Sequence, residues 1–422
     1  MTLIPKSEFP RIFRVRQKFD APTCSDIKNT VVAELERLQL SGKVAAGESV
    51  AITAGSRGIS NIAEIIQAIA QFFLDLKAEP FIVPSMGSHG GGTSAGQRQV
   101  LESYGITESF CGCPIKDSME TVTIGEAAEG FPIYFDKSSS EADHVVVCGR
   151  VKPHTNFSGD IQSGLMKMMM IGLGKKDGAA LYHRAIHQHG FPQIIRSVAP
   201  KVVEHASILA GVAIVENAKD ETALIEAVLP EDFQSRETEL LKQARQWMPS
   251  LPFDELDVLL IDKIGKNISG TGMDTNVIGR KHSEHGPPNI KRLVVRDLTE
   301  ETHGNATGIG FAELCLSRVI EKMNRETTVL NCLTALDIDA AKIPVNFSTD
   351  EEAIATALST LGLRPPNESR LMWIHNTGEL GEVVCSEALR SEVDASPSLE
   401  AISELVELPL GAAGMLPDDF FG

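Results

Sequence analysis

Three times in the first 160 residues an apolar run of strand length ends in a loop that contains glycine. GESVAIT (47–53) runs into Ala54-Gly55-Ser56-Arg57-Gly58. PFIVP (80–84) runs into Ser85-Met86-Gly87-Ser88-His89-Gly90-Gly91-Gly92, and HVVVCG (144–149) delivers the stretch from Lys152. Helical patterns follow the first two loops, NIAEIIQAIAQFFLDL (61–76) and then a helix from Gln97 to Tyr104. Strand, glycine loop, helix in this order implies a doubly wound, largely parallel α/β sheet. Such sheets bind ligands outside the carboxyl ends of their strands. The loops at Arg57, His89 and His154 are therefore expected to converge on one crevice.

The chain has 422 residues, so two domains are the default. A polar segment, Gln234 to Pro252, reads as a helix and a linker, and LDVLLI (256–261) opens a second α/β domain. Further strands are expected at Arg292–Asp297 and Arg370–His375, and helices at Phe311–Asn324 and Asp350–Leu361. The expected division is 1–250, 251–395 and a tail, 396–422, packing back on the body, with the active site in the cleft between the two α/β domains. A net charge of -18 without a basic block argues against nucleic acid as a partner. No run of 18 apolar residues and no signal-peptide pattern is present, so no membrane span and a cytoplasmic location are expected. The seven cysteines are expected to be mostly buried and reduced; Cys111-Gly112-Cys113 is too short and isolated for a zinc ribbon.

The chemistry concentrates in KPHTNFSGDIQSGLMKMMMIGLGKKDGAALYH (152–183). Lys167 directly precedes three methionines. A cation in so apolar a run needs a purpose or an exit. Either its nitrogen forms a covalent bond to a cofactor, or its stem is buried and its ammonium reaches water. Of eleven histidines, His89, His154, His183 and His187 fall at the loops of the expected crevice. His183 and His187 share a helix face, but Arg184 stands where a zinc protease needs its glutamate. The GxGxxG fingerprint and the Walker spacing are both absent.

In order along the chain come an arginine loop (Arg57), a glycine-rich histidine loop (His89), Pro153-His154, Phe157-Ser158-Gly159, Lys167, and His183 sixteen residues later. This order resembles the nickel-dependent lactate racemase superfamily of 2-hydroxyacid racemases and epimerases, as a divergent member. The resemblance implies a nickel-pincer nucleotide bound covalently through Lys167, with nickel on His183. It implies His89 and His154 as paired acid/base groups. Arg57, Gly87, Ser88 and Ser158 would lie against the cofactor. Arg57 and a lysine of the second domain, Lys266 with Lys263 as its rival, would assist with the substrate. The expected partners are a small 2-hydroxy acid and, transiently, cofactor-synthesis proteins. Two departures from the family pattern stand out. FSGDIQSGLMK is longer than the family's compact FSGGGK-like run, and Ala54-Gly55-Ser56 before Arg57 lacks the usual acidic residue.

The implied chemistry needs a hydride acceptor facing the Cα–H bond, bases for the hydroxyl proton on two sides, and a cation for the carboxylate. Two other classes remain open from the residues alone. One is a zinc or iron hydrolase or lyase with His154, His183 and His187 as ligands. The other is a non-catalytic cofactor-binding protein on the same scaffold.

Overall fold

The computed structural model describes residues 4–56, 58–281 and 286–421. Its strands in chain order are β1 (Ile12–Gln17), β2 (Ser49–Ala54), β3 (Glu79–Pro84), β4 (Thr121–Glu126), β5 (Pro132–Asp136), β6 (His144–Arg150), β7 (Ile208–Glu216) and β8 (Thr222–Val228). After these come β9 (Glu255–Ile264), β10 (Asn289–Leu298), β11 (Leu314–Leu316), β12 (Val345–Phe347), β13 (Leu371–Ile374), β14 (Glu382–Ser386) and β15 (Leu399–Ala401). They divide between two compact units, Asp20–Met248 and a second made of Met1–Phe19 with Pro249–Gly422.

In the unit Asp20–Met248 five strands take the order β3-β2-β6-β7-β8. The first four run parallel, and only β8 is antiparallel. The interior of β2, β3 and β6 is buried throughout, as a sheet covered on both faces requires. One face packs against the helices Ile27–Arg37 and Ile62–Asp75, the other against 164–205 and the helix Phe233–Trp247. Thr53 Oγ1 ties β2 to β6, donating to Cys148 O (3.3 Å) and accepting from Cys148 N (2.8 Å). Because β3, β2 and β6 are neighbours and parallel, the loops after them leave the same edge of the sheet side by side.

The second unit carries an eight-stranded mixed sheet, β12-β11-β10-β9-β13-β14-β1-β15. The segment 1–250, expected as one domain, therefore loses its first strand: β1 pairs antiparallel with β14 and β15. Phe13 and Val15 fill the core of this second sheet. The expected helix Phe311–Asn324 is also corrected. Leu314, Cys315 and Leu316 extend the parallel edge as β11, and only Ser317–Lys322 is α-helical. Three buried apolar residues beside β10 gain more from ladder bonds than from a helical turn.

A buried arginine closes this unit. Arg296 donates to both Asp350 oxygens (2.7 and 3.0 Å), to Asp262 and to Leu416 O (2.9 Å). Trp373 Nε1 also donates to Asp262 (2.6 Å), and Phe420 stacks on the indole at 4.5 Å. The last residues of the chain thus lie on their own sheet. All seven cysteines are free thiols, six of them buried. Among the described residues no helix is long and apolar enough to cross a membrane.

Removing one partner of a buried ion pair leaves the other charge stranded, at a cost of about 3–5 kcal/mol. Arg296→Ala should lose that much in urea unfolding of the second unit; a loss below about 1 kcal/mol would mean that Asp262 and Asp350 find other partners.

Candidate functional site

The His89 loop follows β3. Gly87, Gly90, Gly91 and Gly92 all take positive φ, so the chain turns back within a few residues. At Gly90 a Cβ would also run into the backbone of Gly96 and Gln97. The buried Gln97 amide holds the loop from beneath, donating to Gly87 O (2.9 Å) and His89 O (3.2 Å). His89 itself is exposed, and its Nδ1 lies 2.5 Å from Ser56 Oγ on the neighbouring loop after β2. Tyr104 OH fixes that neighbour by donating to Ser56 O (2.7 Å). Arg57 lies outside the described residues.

His154 stands on the loop after β6. Its backbone N–H donates to Gln162 Oε1 (2.9 Å), and its Nδ1 accepts from the N–H groups of Asn156 (3.0 Å) and Phe157 (3.2 Å). An atom that accepts two N–H groups carries no proton, so the proton of the neutral ring sits on Nε2. His89 is different, since its Nδ1 partner is a hydroxyl that can donate or accept. The two imidazoles expected to share proton work do not start alike.

Phe157 organises the rest. Its ring stacks with His154 (4.1 Å, 12°) and with Phe191 (4.3 Å, 10°). Two nearly parallel rings at such distances must occupy opposite faces. Lys167 Nζ lies 5.0 Å from the Phe157 centroid, within cation–π range, and the His183 ring is 6.3 Å from it. Lys167 ends the short helix Gly164–Lys167, and Met168–Gly172 continues as a π-helical turn. Met169 and Met170 point into the core while Lys167 is half-buried, so the apolar run and its cation face different ways.

His183 lies in the helix Lys175–His189, as does His187 one turn on. Burial, and after it the charge of Lys167, lowers the pKa of His183. His183 is exposed at its surface, yet the surrounding protein is dense enough to favour the neutral ring, the form that binds metals. The π-helical turn also reaches the histidine loop. A Cβ on Gly87 would touch Ala179 at 3.1 Å and Ile171 at 3.2 Å, and one on Gly92 would meet the Lys176 stem at 2.8 Å. Lys175 is fully buried beside Asp136 (3.2 Å) and donates to Pro84 O (2.7 Å), tying the start of the His183 helix to the end of β3.

The site residues of the unit Asp20–Met248 thus form two linked groups, His89 with Ser56, and His154, Lys167 and His183 around Phe157. Gly87 is buried and Ser88 exposed. Ser158 Oγ is buried with no hydrogen-bond partner among the described residues. Lys266 belongs to the other unit, where its Nζ donates to Gly270 O (2.5 Å) and its N–H to Thr302 Oγ1 (3.0 Å). Among the described residues no three His, Cys, Asp or Glu side chains are arranged to hold a metal ion. The ligand set His154, His183 and His187 of the hydrolase reading is therefore not assembled. Sequence reading missed Gln97 and Lys175, whose roles depend on partners remote in sequence, and gave Phe157 only as part of a motif.

Residues 29–191 match the family model described as the lactate racemase N-terminal domain. No curated protein sequence matches the chain. Among solved structures, the lactate racemase apoprotein from Thermoanaerobacterium thermosaccharolyticum is similar with a TM-score of 0.53 and 12% identity, over 86% of this chain and 94% of that one. At that identity the likeness is one of fold.

The Lys167 charge contributes to the depressed pKa of His183, so removing it should let the imidazole titrate higher. An NMR titration of Lys167→Met should show His183 moving up toward 6.5 but staying below it, because burial remains. An unchanged His183 curve would place the ammonium elsewhere in solution.

Proposed function

We propose that this chain belongs to the lactate racemase superfamily and is an isomerase of 2-hydroxy acids, a racemase or epimerase, that carries a nickel-pincer nucleotide on Lys167. The observation that supports it best is the gathering of Lys167, His154 and His183 around one ring, Phe157. With no metal-ligand cluster among the described residues, a metal at His183 needs most of its donors from a non-protein ligand, as a pincer provides. The buried hydroxyl of Ser158, the residue after Phe157, offers a polar group still to be satisfied. Lys167 would hold the nucleotide and His183 the nickel, with Gly87, Ser88 and Ser158 alongside. When bound, the group supplies the hydride acceptor.

The chain's own residues supply the proton chemistry. Oxidising a 2-hydroxy acid at Cα removes the hydroxyl proton as the Cα hydrogen leaves with its electron pair, and a planar 2-keto acid results. His89 can take that proton at Nε2 while Nδ1–H donates to Ser56 Oγ. His154 presents Nε2–H in its neutral form, and so begins as a hydrogen-bond donor to the substrate oxygen. To act as the base it must first move its proton to Nδ1, which forfeits two accepted N–H bonds of about 1 kcal/mol each. Arg57 is assigned to the substrate carboxylate from sequence alone.

Intact mass of protein from a host that makes the cofactor should show an adduct of pincer-nucleotide size, absent in Lys167→Ala. An adduct that persists in that variant moves the linkage elsewhere, to Lys175 or Lys176. Nickel content should fall further in His183→Ala than in His187→Ala; the reverse order contradicts the metal assignment.

Single-turnover absorbance with each enantiomer separates the histidines. His89→Ala should respond only to the enantiomer served by His154, and about tenfold or more slowly than His154→Ala responds to the other. Equal responses of both variants to both enantiomers would contradict the two-base reading. A loaded wild type that answers no 2-hydroxy acid would favour the non-catalytic cofactor-binding protein.

A further inference from the structure

The helix that ends in Lys167 has an unusual start. Its N-cap residue, Ser163, makes no side-chain cap. Ser163 Oγ is committed to Lys152, accepting from its N–H (2.7 Å) and donating to its carbonyl (2.7 Å). The open N–H groups of the first turn belong to Leu165 and Met166. Both are met by a residue more than 70 positions away, Glu237 of the helix Phe233–Trp247. Its Oε1 accepts from Leu165 N, and its Oε2 accepts from Met166 N at 3.1 Å.

Three observations mark this contact as built. Glu237 is 1% exposed, and among the described residues no cation pairs with it. Burial without a counter-charge pushes the Glu237 carboxyl up, and the two N–H groups it accepts from act against that by favouring the ionised form. Gly164 takes φ +86, and a Cβ there would overlap Glu237 Oε1, so the close approach needs glycine. The carboxylate also fits the task better than its neutral relatives. A glutamine could accept one N–H but would turn its own NH2 toward the other, and a leucine would leave both unmet.

We propose that Glu237 is a positioning residue: by holding the N–H groups of Leu165 and Met166 it fixes the turn Gly164–Lys167 and so sets where the Lys167 ammonium stands, 5.0 Å from the centre of the Phe157 ring. Its importance for function rests on the reading of Lys167 as the cofactor attachment point. Its physical content is a property of the chain without cofactor.

The test uses the full-length protein without cofactor, as wild type, Glu237→Gln and Glu237→Leu. A short pulse of formaldehyde with cyanoborohydride methylates accessible amines, and peptide mass spectrometry reads Lys167 against the half-buried Lys201 and the exposed Lys242 as internal controls. Labelling of Lys167 should rise about threefold or more in Glu237→Leu and by less in Glu237→Gln, with both controls unchanged. Unchanged Lys167 labelling in a folded Glu237→Leu overturns the proposal. If Glu237→Leu does not fold, Glu237→Gln carries the same test, and wild-type labelling there overturns it. A second arm measures cofactor attachment by intact mass in protein from a cofactor-making host. Loss of attachment in the order wild type, Gln, Leu supports the positioning role. Shifted labelling with no adduct even on wild type would sink the attachment reading and leave the positioning role standing.

Discussion

The ring of Phe157 is the constraint on which the candidate site depends. One of its faces is covered by Phe191, the other by His154, and Lys167 and His183 lie within reach of the same ring. The stack does more than bury area. It sets the plane of His154, whose Nδ1 is then anchored by the N–H groups that follow it in sequence. An imidazole held by stacking and by two hydrogen bonds has little freedom left, and catalytic or ligating groups work only when held in this way.

The loops reach this place because of strand order. With β2 between β3 and β6, all parallel, one end of the sheet gathers the residues 55–56, 58–61, 85–93 and 151–163. Ser56 and His89 meet across the first two of these loops. The third leads into the turn that carries Lys167. The π-helical turn after it lets Met169 and Met170 enter the core without dragging the lysine with them. π-turns cost hydrogen-bond quality and recur at functional sites. The methionine run and the cation before it are one device, an apolar anchor with a polar tip on another face.

Much of this was legible in sequence because its signals are local. The runs 47–53, 80–84 and 144–149 are apolar, of strand length and closed by glycine, and each is a buried parallel strand. Other parts lacked a local signal. β1 reads IFRVRQ, three of its six residues polar, and its partners lie more than 350 positions away, so nothing nearby marks it as part of the second sheet. Leu314–Leu316 sits in a helix-like pattern, and only the waiting edge of β10 makes it a strand. Glu237 shares the apolar stripe of its helix with Phe233, Leu240 and Leu241, so spacing turns it inward, but its charge reads as a solvent-facing residue and its partners lie more than 70 positions away. The tautomer of His154 was hidden too, since it depends on backbone N–H directions rather than residue types.

The central claim is that these residues serve isomerisation of a 2-hydroxy acid in which the Cα hydrogen travels as hydride. The most direct measurement runs the cofactor-loaded protein with one enantiomer in D2O and follows the product by chiral separation and mass. The account predicts inversion with the Cα hydrogen retained, because a hydride that moves out and back does not exchange with solvent. Inversion accompanied by deuterium at Cα would mean that a base removes that hydrogen as a proton, and the account would be wrong.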